Sequence, residues 1–324
     1  MKSLLMQKGA KTLVDVSTKV KPGEKVLVVT DFSKMPIAEA VASVAQDRGA
    51  EVMVMIMQPR KRAGQEPPQP VAEAMKAADV VFVPVSYSIT HTHAVKNAAA
   101  SGTRLIVMTD FTEEMMAGGG IECDFDTIKP ICIGAAKALE KADIIRVTTP
   151  GGTDITFSSK GRRGNALYCV VEPGDFSTIP TIEANTTPLE GTANGIIVCD
   201  ASIPYLGIGL VDQPVVCTVE KGFITSIKGG RSADTLARDL EKHGDPNVYN
   251  IAELGLGLNP NCRMCGIMLE DEGVQSTAHF GIGTNITLGG VTKTPIHYDL
   301  IVWHPTVETD GRILVKGKEV FLPE

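Results

Sequence analysis

The chain of 324 residues has no apolar run long enough to span a bilayer. Its opening, Met1-Lys2-Ser3-Leu4-Leu5-Met6-Gln7-Lys8, lacks the long apolar core of a signal peptide. Both absences lead to the expectation of a cytoplasmic protein with no membrane partner. Positive charge is not in surplus either: 31 Lys and Arg stand against 38 Asp and Glu, for a net charge of -7. Such a balance offers no basic field to a polyphosphate backbone, so nucleic acid is not expected as a partner. Aromatic residues are scarce at 5%, which disfavours a stacked aromatic-ring pocket, although Phe280 or Tyr298 could face a ring singly. Paired cysteines are missing as well. The seven are odd in number and scattered, several within apolar runs such as Ile131-Cys132-Ile133, as expected of reduced, buried thiols. Cys262-Arg263-Met264-Cys265 has metal or redox spacing, but no second pair accompanies it. Finally, no Gly-x-Gly-x-x-Gly follows a strand, and there is no Gly-x-Ser-x-Gly elbow or Cys-His pattern. A nicotinamide enzyme and a protein nucleophile are both disfavoured.

What is present is an ordinary globular composition, 43% hydrophobic and 21% charged, long enough for two domains or one large one. The apolar runs at 25–30, 51–57, 79–85 and 103–108 are short and apolar on both faces, which predicts buried parallel strands. Ala-rich segments at 36–48, 69–78 and 93–100 carry apolar residues at helical spacing, and 126–141 continues as a longer helix. This alternation predicts a parallel-sheet α/β domain over 1–145. Thr30-Asp31-Phe32-Ser33 and Thr109-Asp110-Phe111-Thr112, at the ends of two of the strands, each place an acidic or hydroxyl residue where a helix N-cap is wanted. Beyond residue 146 the texture changes to short alternating segments with Gly turns, including strand, turn and strand across 215–228, interrupted by one helix at 232–243. A β-rich, metal-bearing domain over 146–324 is expected.

Three segments of that second half hold ionisable residues inside apolar strands. In Pro295-Ile296-His297-Tyr298-Asp299-Leu300, the period of two sends His297 and Asp299 to one face, half of a site for a divalent transition metal. Glu253 in Glu253-Leu254-Gly255-Leu256-Gly257 and His279 in His279-Phe280-Gly281-Ile282-Gly283 are expensive to bury unless paired or liganded. The paired glycines leave room for a close approach of backbone or substrate. By contrast, Glu270-Asp271-Glu272 has the composition of a solvated acidic turn, and His304 that of a surface residue at a strand end.

From about Thr178 onward these segments, with Pro180-Thr181-Ile182-Glu183-Ala184-Asn185-Thr186-Thr187-Pro188 and Glu190-Gly191-Thr192-Ala193-Asn194-Gly195, resemble the M29 metallopeptidases of the aminopeptidase T type. The resemblance implies a dinuclear centre of Zn, Co or Mn held by Glu183, Glu253, His279, His297 and Asp299, with Glu253 bridging. It also implies a hydrolase of peptides or small amides acting through a metal-bound hydroxide, with Glu183 or Glu272 as proton carrier and self-association into at least a homodimer. Where the family's larger members carry a tyrosine seven residues after the matching histidine, this chain has Ile286. Glu220-Lys221-Gly222-Phe223-Ile224-Thr225, Asp245-Pro246-Asn247-Val248-Tyr249, Gly289-Gly290 and Lys293-Thr294-Pro295-Ile296-His297-Tyr298-Asp299 also resemble 2,5-dihydroxypyridine dioxygenase. That resemblance implies one Fe(II), a small aromatic substrate, and a substrate-facing histidine at His91. Its iron set is two histidines and one carboxylate, which here could be His279, His297 and Asp299.

Overall fold

The computed structural model describes residues 2–90 and 92–323. It divides into two compact units, Met1–Phe125 with Tyr168–Pro180, and Asp126–Leu167 with Thr181–Glu324.

The first unit is built on a five-stranded parallel sheet, in the order Glu51–Ile56, Lys25–Thr30, Val80–Val85, Arg104–Thr109 and Phe176–Thr178. Parallel strands need helical crossovers, and Met35–Asp47, Gln69–Ala77 and His93–Ala100 supply them. Val80–Val85 is buried along its whole length, and Val29, Val81, Val83, Leu105 and Val107 pack with Val71, Met75, Val95 and Ala98. The run at 51–57 departs from the expected burial: Met53, Val54 and Ile56 are each more than 40% exposed. As the edge strand it has a neighbour on one side only. Asp31 caps as the sequence predicts, its carboxylate accepting from Ser33 N at 3.1 Å, Ser33 Oγ at 2.7 Å and Ser86 N at 2.7 Å. Thr112 Oγ1 likewise accepts from Met115 N at 3.1 Å.

The second unit contains two antiparallel sheets. One has eight strands and includes the hairpin Val215–Glu220 and Phe223–Lys228, turned at Lys221-Gly222. The other, which carries the ionisable residues, has seven: Gly209–Leu210, Ser202–Ile203, His297–Trp303, Thr277–Gly283, Ile251–Gly257, Glu183–Thr186 and Asn165–Leu167. Its central strands are buried end to end, so each polar side chain there lies in an otherwise apolar layer. The α/β architecture, a parallel sheet followed by separate antiparallel ones, agrees with the expectation. No helix among the described residues is long and apolar enough to cross a membrane.

Candidate metal centre

Register brings the donors together. Glu253 lies opposite Gly281, which lies opposite Asp299; Gly283 pairs with His297; and Gly255 is opposite both Asn185 and His279. Glu183 pairs with Gly257. Because side chains alternate along a strand, Glu183, Asn185, Glu253, His279, His297 and Asp299 share one face of four adjacent strands. A bulge at Ala252, between the Ile251 and Glu253 pairings, adjusts the strand immediately before Glu253, and the Ala252 carbonyl is taken by Thr187 Oγ1 at 2.7 Å.

The interleaved glycines hold space for the imidazoles. A Cβ on Gly255 would lie 2.0 Å from His279 Nε2, and one on Gly281 would lie 2.7 Å from both Glu253 Cβ and His297 Cε1. The Gly-x-Gly pattern visible in the sequence therefore accommodates the ligating side chains themselves.

Two overlapping groups of three donors result, Glu183 with Glu253 and His279, and Glu253 with His297 and Asp299, each with its donor atoms within 4.8 Å of one another. Glu253 belongs to both. His297 Nε2 is 2.9 Å from Glu253 Oε2 and 3.4 Å from Asp299 Oδ1, and His279 Nε2 is 3.3 Å from Glu183 Oε2. The side chains of Glu183, Glu253, His279 and Asp299 are nearly fully buried, whereas that of His297 is 28% exposed, so the group is approached from the His297 side.

Several donors are fixed from behind. His297 Nδ1 donates to the Thr284 carbonyl at 2.8 Å, which turns Nε2 toward the carboxylates. Asn185 Nδ2 donates to Glu183 Oε1 at 2.8 Å and is itself held through Oδ1 by Asn165 Nδ2 at 2.7 Å. Tyr205, which sequence reasoning missed, donates its hydroxyl to Asp299 Oδ2 at 2.7 Å. Glu183 Oε2, His279 Nδ1 and Asp299 Oδ1 are buried without a hydrogen-bond partner. Orphaned acceptors aimed at clustered imidazoles and carboxylates are what a divalent cation satisfies, so the residues present fit one.

Electrostatics record the excess of negative charge around the two imidazoles. Burial alone would depress His279, but Glu183, with Asp299 and Glu253 beyond it, raises it to about 9. Burial also opposes charge on His297, yet Asp299 and Glu253 raise it well above the usual histidine value. Burial pushes Glu253 up despite His297 beside it. Glu272 is raised well above the ordinary range by burial and by the Asp299 and Glu183 carboxylates. Asp299 goes the other way: burial opposes ionisation, but His297, His279 and the Tyr205 hydroxyl hold it below the usual range.

The acidic run 270–272 is not a solvated turn. Glu270 and Asp271 are buried, and Asp271 accepts from Ser202 Oγ at 2.6 Å and Cys265 N at 2.7 Å. This anchorage leaves Glu272 within 3.4 Å of the Tyr205 hydroxyl. His91 lies outside the described residues. Six of the seven cysteines are buried, and the Cys132 thiol, pushed up to about 12 by burial and by Glu183, donates to the Glu183 carbonyl at 3.1 Å. His304 is exposed, as expected.

Fold and donor set together describe an α/β chain whose clustered imidazole and carboxylate side chains rise from one face of an antiparallel sheet and could hold a divalent cation. The family model for NicX, 2,5-dihydroxypyridine 5,6-dioxygenase, matches residues 12–321, and the chain belongs to that family. It is 27% identical to the 2,5-dihydroxypyridine 5,6-dioxygenase of Pseudomonas putida over 264 residues, 78% of this chain and 73% of that protein. The structure of 2,5-dihydroxypyridine dioxygenase from P. putida KT2440 superposes with a TM-score of 0.84 at 23% identity, covering 100% of this chain and 99% of that one. AmpT from Thermus thermophilus superposes with a TM-score of 0.69 at 16% identity, covering 98% and 99%.

These findings overturn the expectation of a metallohydrolase. The peptidase resemblance is one of fold, and the family is the dioxygenase's, so the aminopeptidase and metalloprotease reading is withdrawn. The physical reason lies in which segments suggested it: they are the strands of the sheet that carries the clustered donors. A donor set reports what can be bound, not which reaction follows.

Proposed function

We propose that this chain is an Fe(II)-dependent dioxygenase that opens a small hydroxylated N-heteroaromatic ring of the dihydroxypyridine class, with iron held by Glu253, His297 and Asp299. The observation that carries this reading is the convergence of those three donors within 4.8 Å, at the exposed edge of the site, in a member of this family. One imidazole and two carboxylates suit a divalent first-row metal, and His279 stands next to them on the same face. Iron so placed supplies the chemistry by which dioxygen is joined to ring carbons.

The chain's own groups do the rest. Thr284, through its carbonyl, fixes the tautomer of His297, and Tyr205 orients Asp299. Glu272, kept protonated by burial and neighbouring carboxylates, holds a proton at its carboxyl group 3.4 Å from the Tyr205 hydroxyl. Glu183 and His279 form a second acid–base pair one strand away, with Glu183 positioned to accept a proton from His279 Nε2. The buried apolar strands limit water to the His297 side.

The test is oxygen uptake by iron-loaded protein given 2,5-dihydroxypyridine, with loss of the ring absorbance and both atoms of labelled dioxygen in the product. One iron per chain is expected, retained in Glu183→Ala and lost in Asp299→Ala. A fully iron-loaded chain that consumes no oxygen with any dihydroxypyridine isomer would overturn the reading. Iron content that falls with Glu183 but not with Asp299 would move the metal to the other donor group.

A further inference from the structure

Asp299 is held in an unequal way. Its Oδ2 accepts the Tyr205 hydroxyl at 2.7 Å, while Oδ1 is buried, has no hydrogen-bond partner and lies 3.4 Å from His297 Nε2. The backbone explains why Tyr205 is there. Ser202 pairs with Ile301 in an antiparallel ladder, so the chain leaving Ser202–Ile203 runs beside the strand of Asp299 in the opposite direction and delivers residue 205 to it. Tyr205 has its own support. Its ring packs on Tyr298 with centroids 5.0 Å apart, and the Tyr298 hydroxyl donates to Asp239 Oδ2 of helix Arg231–Lys242 at 3.0 Å. Its hydroxyl also lies 3.4 Å from Glu272 Oε1.

We infer that Tyr205 is a positioning residue for the metal: by occupying Asp299 Oδ2 it makes that carboxylate a one-oxygen ligand, aimed through Oδ1, and Tyr298 with Asp239 keeps the phenol in place. The inference rests on the metal site assigned above. Without the phenol, Asp299 loses the bond that aims Oδ1, and its carboxylate would be free to turn or to offer both oxygens to a metal in place of the single aimed contact. Glu183 is held in a related way, with Asn185 on Oε1 and Oε2 turned to His279 Nε2 at 3.3 Å.

Co(II) serves as the probe, because its visible absorption weakens as coordination number rises. Apo-protein, full length, is titrated with Co(II) as wild type, Tyr205→Phe and Tyr298→Phe, with the thermal melt of each apo form recorded. The expected result for Tyr205→Phe is a loss of Co(II) affinity of about tenfold, the usual scale for removing a group that orients a ligand, and a weaker visible band. The apo melt should stay near wild type, which a merely structural role would not give. Tyr298→Phe should shift both readouts in the same direction by less, and it decides the matter if Tyr205→Phe does not fold. Affinity and spectrum unchanged in Tyr205→Phe, or in Tyr298→Phe where only that variant folds, would overturn the inference. The dioxygenase reading fails separately, through a wild type that binds metal yet consumes no oxygen, and the Co(II) comparison decides the role of Tyr205 in that case too.

Discussion

Asp31 and Asp299 are both buried carboxylates on regular frames, and they are finished differently. Asp31, at the end of a parallel strand, has both oxygens taken by three donors from its own unit. Asp299, inside an antiparallel strand, has one oxygen taken and the other without a partner, as does Glu183. Leaving a buried polar atom unpaired costs about 1–3 kcal/mol, more for a charged one. Asp299 and Glu183 each keep one oxygen that no hydrogen-bond donor of the chain takes, whereas the Asp31 carboxylate is fully used. The contrast marks Asp299 and Glu183 as candidate ligands without reference to any relative, and Glu253 is marked by its place in both donor groups.

The sharpest way to break this comparison is Glu253→Ala. Glu253 is the one residue common to both donor groups, so metal affinity should fall by at least about 100-fold, read by metal analysis after gel filtration. Near-normal metal content would show that the two groups are not one site. Next comes Gly255→Ala, whose new methyl would overlap the His279 ring and force it aside. A loss of about 1–3 kcal/mol in apo stability by urea titration is expected, together with weaker metal binding. Asp31→Ala should remove caps at a cost of about 0.5–2 kcal/mol while leaving metal affinity at the wild-type value. If it weakened metal binding as much as Gly255→Ala, the distinction between the two carboxylate classes would be lost.

The finest test is pH. His279 sits at about 9 in the folded apo chain, against about 6.5 when unfolded. Its stabilising contribution is complete below about 6.5 and is lost as pH rises through about 9. His297, also raised, adds in the same sense. Apo stability should therefore decline across this window while metal affinity climbs, since the donors must shed protons to bind. Urea midpoints of the apo chain that stay flat from pH 6.5 to 9 would contradict the imidazolium–carboxylate pairing.

Much of this was legible in the sequence, because period and composition act locally. His297 and Asp299 on one face follow from strand alternation alone, and the strands at 25–30 and 80–85 from their continuous apolarity. Glu253 and His279 could be flagged as costly to bury, but their meeting depends on cross-strand register, which no local pattern records. The resemblance to two families located the donors and left the reaction open, since the segments that carry it are those that carry the donors. Tyr205 was missed because it lies in Ile203-Pro204-Tyr205-Leu206-Gly207, a loop with no periodicity, and its role comes from the Ser202–Ile301 pairing. The run 270–272 was misread because acidic composition argues for water, whereas Ser202 and the backbone N–H groups of Cys265 and Gly266 bury Asp271. The 51–56 strand was misread for a related reason: apolar character does not tell an edge from a centre.

The glycines that clear space for the imidazoles have a cost in chain entropy. A strand such as Glu253-Leu254-Gly255-Leu256-Gly257 loses more freedom on ordering than a β-branched one and has fewer side chains to pack. Two such strands lie side by side in the middle of a seven-stranded sheet, each hydrogen-bonded on both edges. At a sheet edge they would fray; at the centre, their neighbours impose the order that their own sequence does not favour. The stiffness of the donor set is therefore borrowed from the surrounding strands, and substitutions at positions of those strands that carry no donor, such as Ala184 or Leu300, should register first as weaker metal binding.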